Sequence, residues 1–223
     1  MRGAFFDLDG TLTTTPVWEG IMAHFRERGL KRWTHRAFWA YHMPIYLFRR
    51  LGLISESAFR LHWAAHLAWY VRGDTLDQAG QVWDWVATDF LSQYWRQDVR
   101  EKLDEHRRAG DLVVLVSGSP VPLLQRIAAE LDVQHVVGTR FALRDGHYSG
   151  RSLQPVCIDE NKATLTKSYL SGLRDKVDYP ASFAYADSIS DLQMLEMVGQ
   201  PVAVYPDEAL RREALKRNWS IFP

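Results

Sequence analysis

The chain has 223 residues, 47% of them hydrophobic and 24% charged, which suits a globular protein with a sizeable core and excludes a disordered one. Its 27 Lys and Arg balance its 27 Asp and Glu, so the net positive charge that draws a general nucleic-acid binder to phosphate backbones is missing. A single cysteine, Cys157, excludes an internal disulfide framework and fits a reducing compartment.

A short apolar run over 3–8, closed by Asp9-Gly10-Thr11, predicts a buried strand. No apolar signal core precedes Asp7 and no charge-free run reaches the roughly 18–20 residues of a membrane span, so a cytoplasmic protein is expected. Residues 16–96 have another texture. They contain few β-branched residues, and eight of the nine tryptophans fall between positions 18 and 95. Apolar side chains at helical spacing predict helices over about 16–28, 32–50, 55–71 and 76–95, with starts at Ser55 and Thr75.

Strands and helices then alternate. A helix over 98–109 precedes an all-apolar strand over 112–116 that ends in Ser117-Gly118-Ser119-Pro120. A helix over 121–131, a strand over 133–137, a hairpin across Arg144-Asp145-Gly146 and a helix over 161–173 follow. The remainder reads as a strand over 182–186, a helix over 190–198, a strand over 202–204, a helix over 207–217 and an edge strand over 219–222. This alternation predicts an α/β core, a mainly parallel sheet with helices on both faces, carrying an all-helical insertion after its first strand.

Ligands of open α/β sheets bind beyond the carboxyl ends of the strands. That rule gathers Asp7 and Asp9, Ser117 and Gly118, Asp187 and Asp191, with Lys162 at the start of the helix before the third of these strands. Several carboxylates at one edge require a cation, and a hard oxygen-liganded ion such as Mg²⁺ suits them. Ser117, Lys162 and the free amides of a helix start would face an anion, most simply phosphate.

Asp7-Leu-Asp-Gly-Thr-Leu, the strand-terminal Ser117, the isolated Lys162 and Ala186-Asp-Ser-Ile-Ser-Asp-Leu-Gln-Met-Leu, in that order, resemble the four motifs of the haloacid dehalogenase superfamily, in its phosphoserine-phosphatase-like branch. The resemblance implies a Rossmann-like catalytic core over 1–15 and 97–223 and a helical type I cap over 16–96. It also implies a phosphoric monoester hydrolase. Asp7 would be the nucleophile and form an aspartyl-phosphate. Asp9 would serve as general acid and then base, and Lys162 would neutralise charge and restrain Asp7. Ser117 and the Gly118 amide would bind phosphoryl oxygens. Asp7, Asp187 and the backbone carbonyl of Asp9 would hold Mg²⁺, with Asp191 behind them. Asp9 favours phosphoryl transfer over dehalogenation, because a halide leaves without a proton and an alkoxide does not.

The expected partner is a small-molecule phosphomonoester, with no nucleic acid. Phosphoserine is one candidate among several, since Pro16 stands where those phosphatases carry a glutamate. Glu19 is the nearest carboxylate, Arg60 matches a carboxylate-binding arginine only by position, and Trp18 is a candidate for the cleft wall. Ser119 also replaces their usual glycine. Segment 26–50 is basic and aromatic. A cap helix buried on one face accounts for it, and a helix lying on an anionic membrane, serving a phosphatase of lipid headgroup phosphates, is the alternative. A phosphate-binding protein that kept the fold without turnover is a further alternative, which the intact motif residues disfavour. His62 and His66, four residues apart but without an intervening glutamate, read as packing or surface histidines, and Cys157 as an inert core thiol.

Overall fold

Residues Ala4 and Phe6 point to one side of the first strand and Phe5 to the other, and all are fully buried, so this strand needs helices on both faces. The computed structural model describes residues 1–223. After β1 (Gly3–Phe6) come four helices: α1 (Val17–Glu27), α2 (Arg32–Arg50), α3 (Glu56–His66) and α4 (Leu76–Trp85). The chain continues through α5 (Gln97–Arg108), β2 (Leu112–Pro120), α6 (Val121–Glu130) and β3 (His135–Thr139). A hairpin of β4 (Phe141–Arg144) and β5 (His147–Ser152) follows, then α7 (Glu160–Ser171), β6 (Phe183–Ala186) and α8 (Leu192–Glu196). The last elements are β7 (Gln200–Val204), α9 (Glu208–Lys216) and β8 (Ser220–Phe222).

The main sheet has six strands in the order β3-β2-β1-β6-β7-β8, and every pair is parallel. The edge strand β8 is parallel as well. One face, with Ala4, Phe6, Val113 and Leu115, packs against α5 and α6. The other, with Phe5, Val114 and Val116, packs against α7, α8 and α9. β1 lies at the switch point, where the chain leaves toward β2 on one side and β6 on the other.

Several predicted elements differ in extent, among them the strand over 112–116, which runs on to Pro120, and the helix over 190–198, which is regular only over Leu192–Glu196. The helix over 76–95 stops at Trp85 and is followed by a wide turn at Val86–Phe90 and a tight one at Leu91–Gln93. Close packing on α1 accompanies the change, since a Cβ at Gly20 would lie 2.6 Å from Phe90 and 2.9 Å from Val86. The helix over 55–71 stops at His66 and continues as a tighter turn, Leu67–Val71, against β5. β3 starts two residues late because Asp132, at φ 50°, and the Val133 amide bonded to the Ala128 carbonyl close the end of α6.

The hairpin β4–β5 stands apart from the main sheet and packs on the helical insertion. Gly73 N donates to Tyr148 O (2.8 Å), and Tyr148 N to Asp74 O (2.9 Å). Ser152 Oγ donates to Ala65 O at 2.7 Å.

Candidate active site

Asp7 directly follows β1, its amide donating to Tyr185 O of β6 at 2.9 Å, which fixes its carboxylate at the sheet's carboxyl edge. Lys162, in the first turn of α7, donates to Asp7 Oδ1 at 2.5 Å. The same ammonium lies 2.8 Å from Asp191 Oδ1, an ion contact without good hydrogen-bond alignment. All three side chains are buried. Burial alone would lower the lysine pKa, but the carboxylates of Asp191 and Asp7 outweigh it and hold the ammonium charged.

Asp187 follows β6 and completes a cluster in which carboxylate oxygens of Asp7, Asp187 and Asp191 lie within 4.8 Å of one another. Thr11 tightens this cluster: its hydroxyl reaches Asp7 Oδ2 (3.2 Å) and Asp187 Oδ1 (3.3 Å). Asp207, at the start of α9, shapes the Asp187 loop by accepting from Ser188 Oγ (2.9 Å) and Ile189 N (3.0 Å). Burial, then the charge of Asp7, pushes the Asp187 carboxyl well above the usual carboxylate range. Burial also raises Asp191, against the pull of Lys162. One ammonium therefore faces three converging carboxylates. The donor set fits a hard divalent cation, which these oxygens would hold.

Asp9 occupies a different position. Its Oδ1 accepts from Val17 N at 2.7 Å, standing in for the missing side-chain cap of α1, where Pro16 occupies the N-cap. Its carboxylate is thus turned toward the helical insertion and is not a member of the close carboxylate cluster. Burial, reinforced by the negative charge of Asp7, pushes it up to about 7. Gly10, at φ +88°, lets the backbone pass so close to Asp187 that a Cβ there would be 2.1 Å from Oδ2.

The phosphate-facing residues divide. Gly118 and Ser119 line the cleft above Asp7, while the fully buried Ser117 turns its hydroxyl back to accept from Ser119 N at 3.1 Å. The cleft encloses about 550 Å³ between the sheet edge and the insertion. Trp18 lines it, in edge contact with Trp63 at 4.9 Å. Arg60 also lines it, paired with Asp159 at 2.5 Å. Glu19 does not: it is exposed, in the first turn of α1, and takes a 3.4 Å contact from Thr15 Oγ1.

Thr11, Asp159 and most of the aromatic wall are given no role by the motifs of the sequence. That wall left a signal, since Trp39 and Met43, and Phe59 and Trp63, are four apart on α2 and α3. Neither His62 nor His66 joins the carboxylates. His66 stacks on Trp69 at 4.4 Å, and His62 is exposed. Burial pushes the Cys157 thiol up to about 12, an unreactive state.

The family model of haloacid dehalogenase-like hydrolases matches residues 4–196. The "inhibition of morphological differentiation protein" of Streptomyces azureus is 31% identical over 98% of this chain and 76% of its own length. A probable phosphatase of Mycobacterium tuberculosis is 30% identical over 98% of this chain and 74% of its own. In fold, a Bordetella pertussis protein of unknown function superposes with a TM-score of 0.83 at 23% identity, covering 100% of this chain and 98% of that one. With the carboxylates and the lysine gathered on one sheet edge and the family model matching most of its length, the chain belongs to the haloacid dehalogenase-like hydrolases.

Proposed function

We propose that the protein is a Mg²⁺-dependent phosphatase that hydrolyses a phosphomonoester through an aspartyl-phosphate on Asp7. The probable phosphatase among its relatives supports the reaction class. The observation that carries the mechanism is the division of labour between two carboxyl groups two residues apart. Asp7 is paired with Lys162 at the cleft floor, while Asp9 is pushed up to about 7 and turned toward the insertion.

Asp7 attacks phosphorus, and the bond from phosphorus to the ester oxygen breaks. Asp9 gives its proton to the departing alkoxide, and as a carboxylate then takes a proton from water. That water attacks the acyl-phosphate, freeing inorganic phosphate and regenerating Asp7. Lys162 keeps the nucleophile from rotating and offsets negative charge, while Gly118 and Ser119 face the phosphoryl oxygens from the cleft wall. Ser117 fixes the Ser119 amide in that loop. Of the three clustered carboxylates, Asp7 and Asp187 would hold the cation, joined by the Asp9 carbonyl as the family resemblance implies, while Asp191 stays tied to Lys162 behind them. When bound, Mg²⁺ supplies charge neutralisation for the phosphoryl group.

Hydrolysis of p-nitrophenyl phosphate with and without Mg²⁺ tests this reading. Turnover should need the cation and fall by roughly 10³-fold or more in Asp7→Asn, as for other covalent nucleophiles. An Asp7→Asn enzyme as fast as wild type would exclude the aspartyl-phosphate.

A further inference from the structure

The cleft of about 550 Å³ has more room than a phosphate and a small hydrophilic alcohol would fill. Above the phosphate end, Trp39, Tyr46, Phe59 and Trp63 form its walls, from α2 and α3. Apart from the catalytic aspartates and Lys162, the charged groups on its lining are Arg60 and Asp159, and these two neutralise each other. An amino-acid phosphate would bring an ammonium and a carboxylate into this space, where the one pair of opposite charges is already joined and only Arg60 Nε is left without a partner, so most of the desolvation cost is not returned. A hydrocarbon gains from the same walls.

The outer side of α2 bears on how such a substrate arrives. Trp33, Ala37, Ala40, Pro44, Leu47 and Leu51 recur at alternating spacings of four and three, so they form one stripe along the helix, and all are exposed. Trp33 is 79% exposed, Leu51 71% and Leu53, just beyond, 70%. Only Phe38 and His42 of the whole helix are buried. Exposed Arg32, Arg36 and Arg50 lie beside the stripe, on the flank of α2 that also carries the cleft-lining Trp39 and Met43. An apolar stripe bordered by arginines is the pattern of a helix lying at an anionic lipid surface. Here the border runs directly into the aromatic cleft.

Resting on the phosphatase reading above, we propose that the substrate is a lipid phosphate monoester. Its hydrocarbon lies between the aromatic walls of α2 and α3, and it enters from an anionic bilayer on which the outer stripe of α2 sits. Helix α2 then has two apolar functions, one on each side of its arginines.

The test uses the full chain with Mg²⁺. Long-chain lysophosphatidate is compared with glycerol 3-phosphate, which presents the same reacting ester without the chain, and p-nitrophenyl phosphate serves as the control. A few buried methylenes should raise kcat/KM for the long-chain ester by roughly 100-fold. Flotation with phosphatidylcholine vesicles, with and without phosphatidylglycerol, should show binding only to the anionic ones. Binding should weaken with salt and be lost in Leu47→Glu and in Trp33→Ser, whose melting temperatures verify folding.

Control turnover with no chain-length preference, or with no flotation, overturns the lipid proposal and leaves the phosphatase reading standing. Inertness toward every ester overturns both. A dimer in sedimentation that Leu47→Glu dissolves, without vesicle binding, gives the stripe to a second copy of the chain and overturns the lipid surface.

Discussion

Gly10 shows how narrowly the site is set. Its φ of +88° suits glycine, and the space where a Cβ would go is already filled by Asp187. Gly10→Ala should therefore cost about 1–2 kcal/mol of stability from the left-handed backbone. It should also raise the Mg²⁺ concentration for half-maximal rate by roughly tenfold or more, as displaced supporting groups do at metal sites. Gly52→Ala is the matching control, at φ +73° with nothing within 4 Å, and should show the stability loss alone. Equal Mg²⁺ dependence in the two variants would mean that Asp187 is not a ligand. The acidic residues were legible in the sequence because each follows a strand whose apolar run is unmistakable. Arg60–Asp159 was not, because that pair joins residues 99 positions apart and neither motif announces the other. Glu19 is close to the first motif in sequence, yet its side chain is exposed and meets Thr15, not the cleft.

The helices of the insertion carry a pH dependence of their own. His24 of α1 is buried between Phe25 and Trp85, its Nδ1 without a partner, and burial lowers its pKa from 6.5 to about 4. His66 of α3 is lowered to about 4 as well, by burial and then by His42. In the unfolded chain these imidazoles take up protons below 6.5, and in the folded one they do not until near 4, so the stability these two histidines contribute falls as pH drops through that interval, against the opposite trend of the raised Asp9, Asp187 and Asp191 carboxyls. For His24 the loss is roughly 1–2 kcal/mol by about pH 5. Thermal unfolding of the wild type and of His24→Leu in Mg²⁺ buffer isolates this contribution: between about pH 6.5 and pH 5 the melting temperature of the wild type should fall relative to that of the variant. A constant difference between the two across that range would show that His24 does not stay neutral. Helix positions in this region were readable from apolar spacing, but helix ends were not. The pattern runs on through Leu67–Val71 and Val86–Phe90, while packing against β5 and Gly20 decides where the regular coil stops.

Across the whole molecule, the boundary expected at residues 16 and 96 is one of secondary structure, not of packing. A single cluster of 33 buried apolar residues runs from Phe6 and Leu115 in the sheet to Phe38, Tyr70 and Trp83 in the insertion. The hairpin β4–β5 belongs by sequence to the second half of the chain, yet it clasps the insertion through Gly73, Asp74 and Ala65. Both connecting segments are also pinned together, by Thr14 N to Tyr94 O at 2.8 Å and Arg96 N to Leu12 O at 2.9 Å. An insertion whose buried residues are continuous with those of the sheet should unfold together with it. The tryptophans make that testable, since eight of the nine lie within the insertion and only Trp219 lies outside it. Tryptophan fluorescence therefore follows the insertion, while far-UV circular dichroism weighs the whole chain. In a urea titration the two transitions should coincide in midpoint and slope. A fluorescence transition at clearly lower urea would instead mean that the insertion melts as a separate unit. The shared cluster would then be too weak to couple the two parts, and the cleft could open without disturbing the sheet edge that holds Asp7.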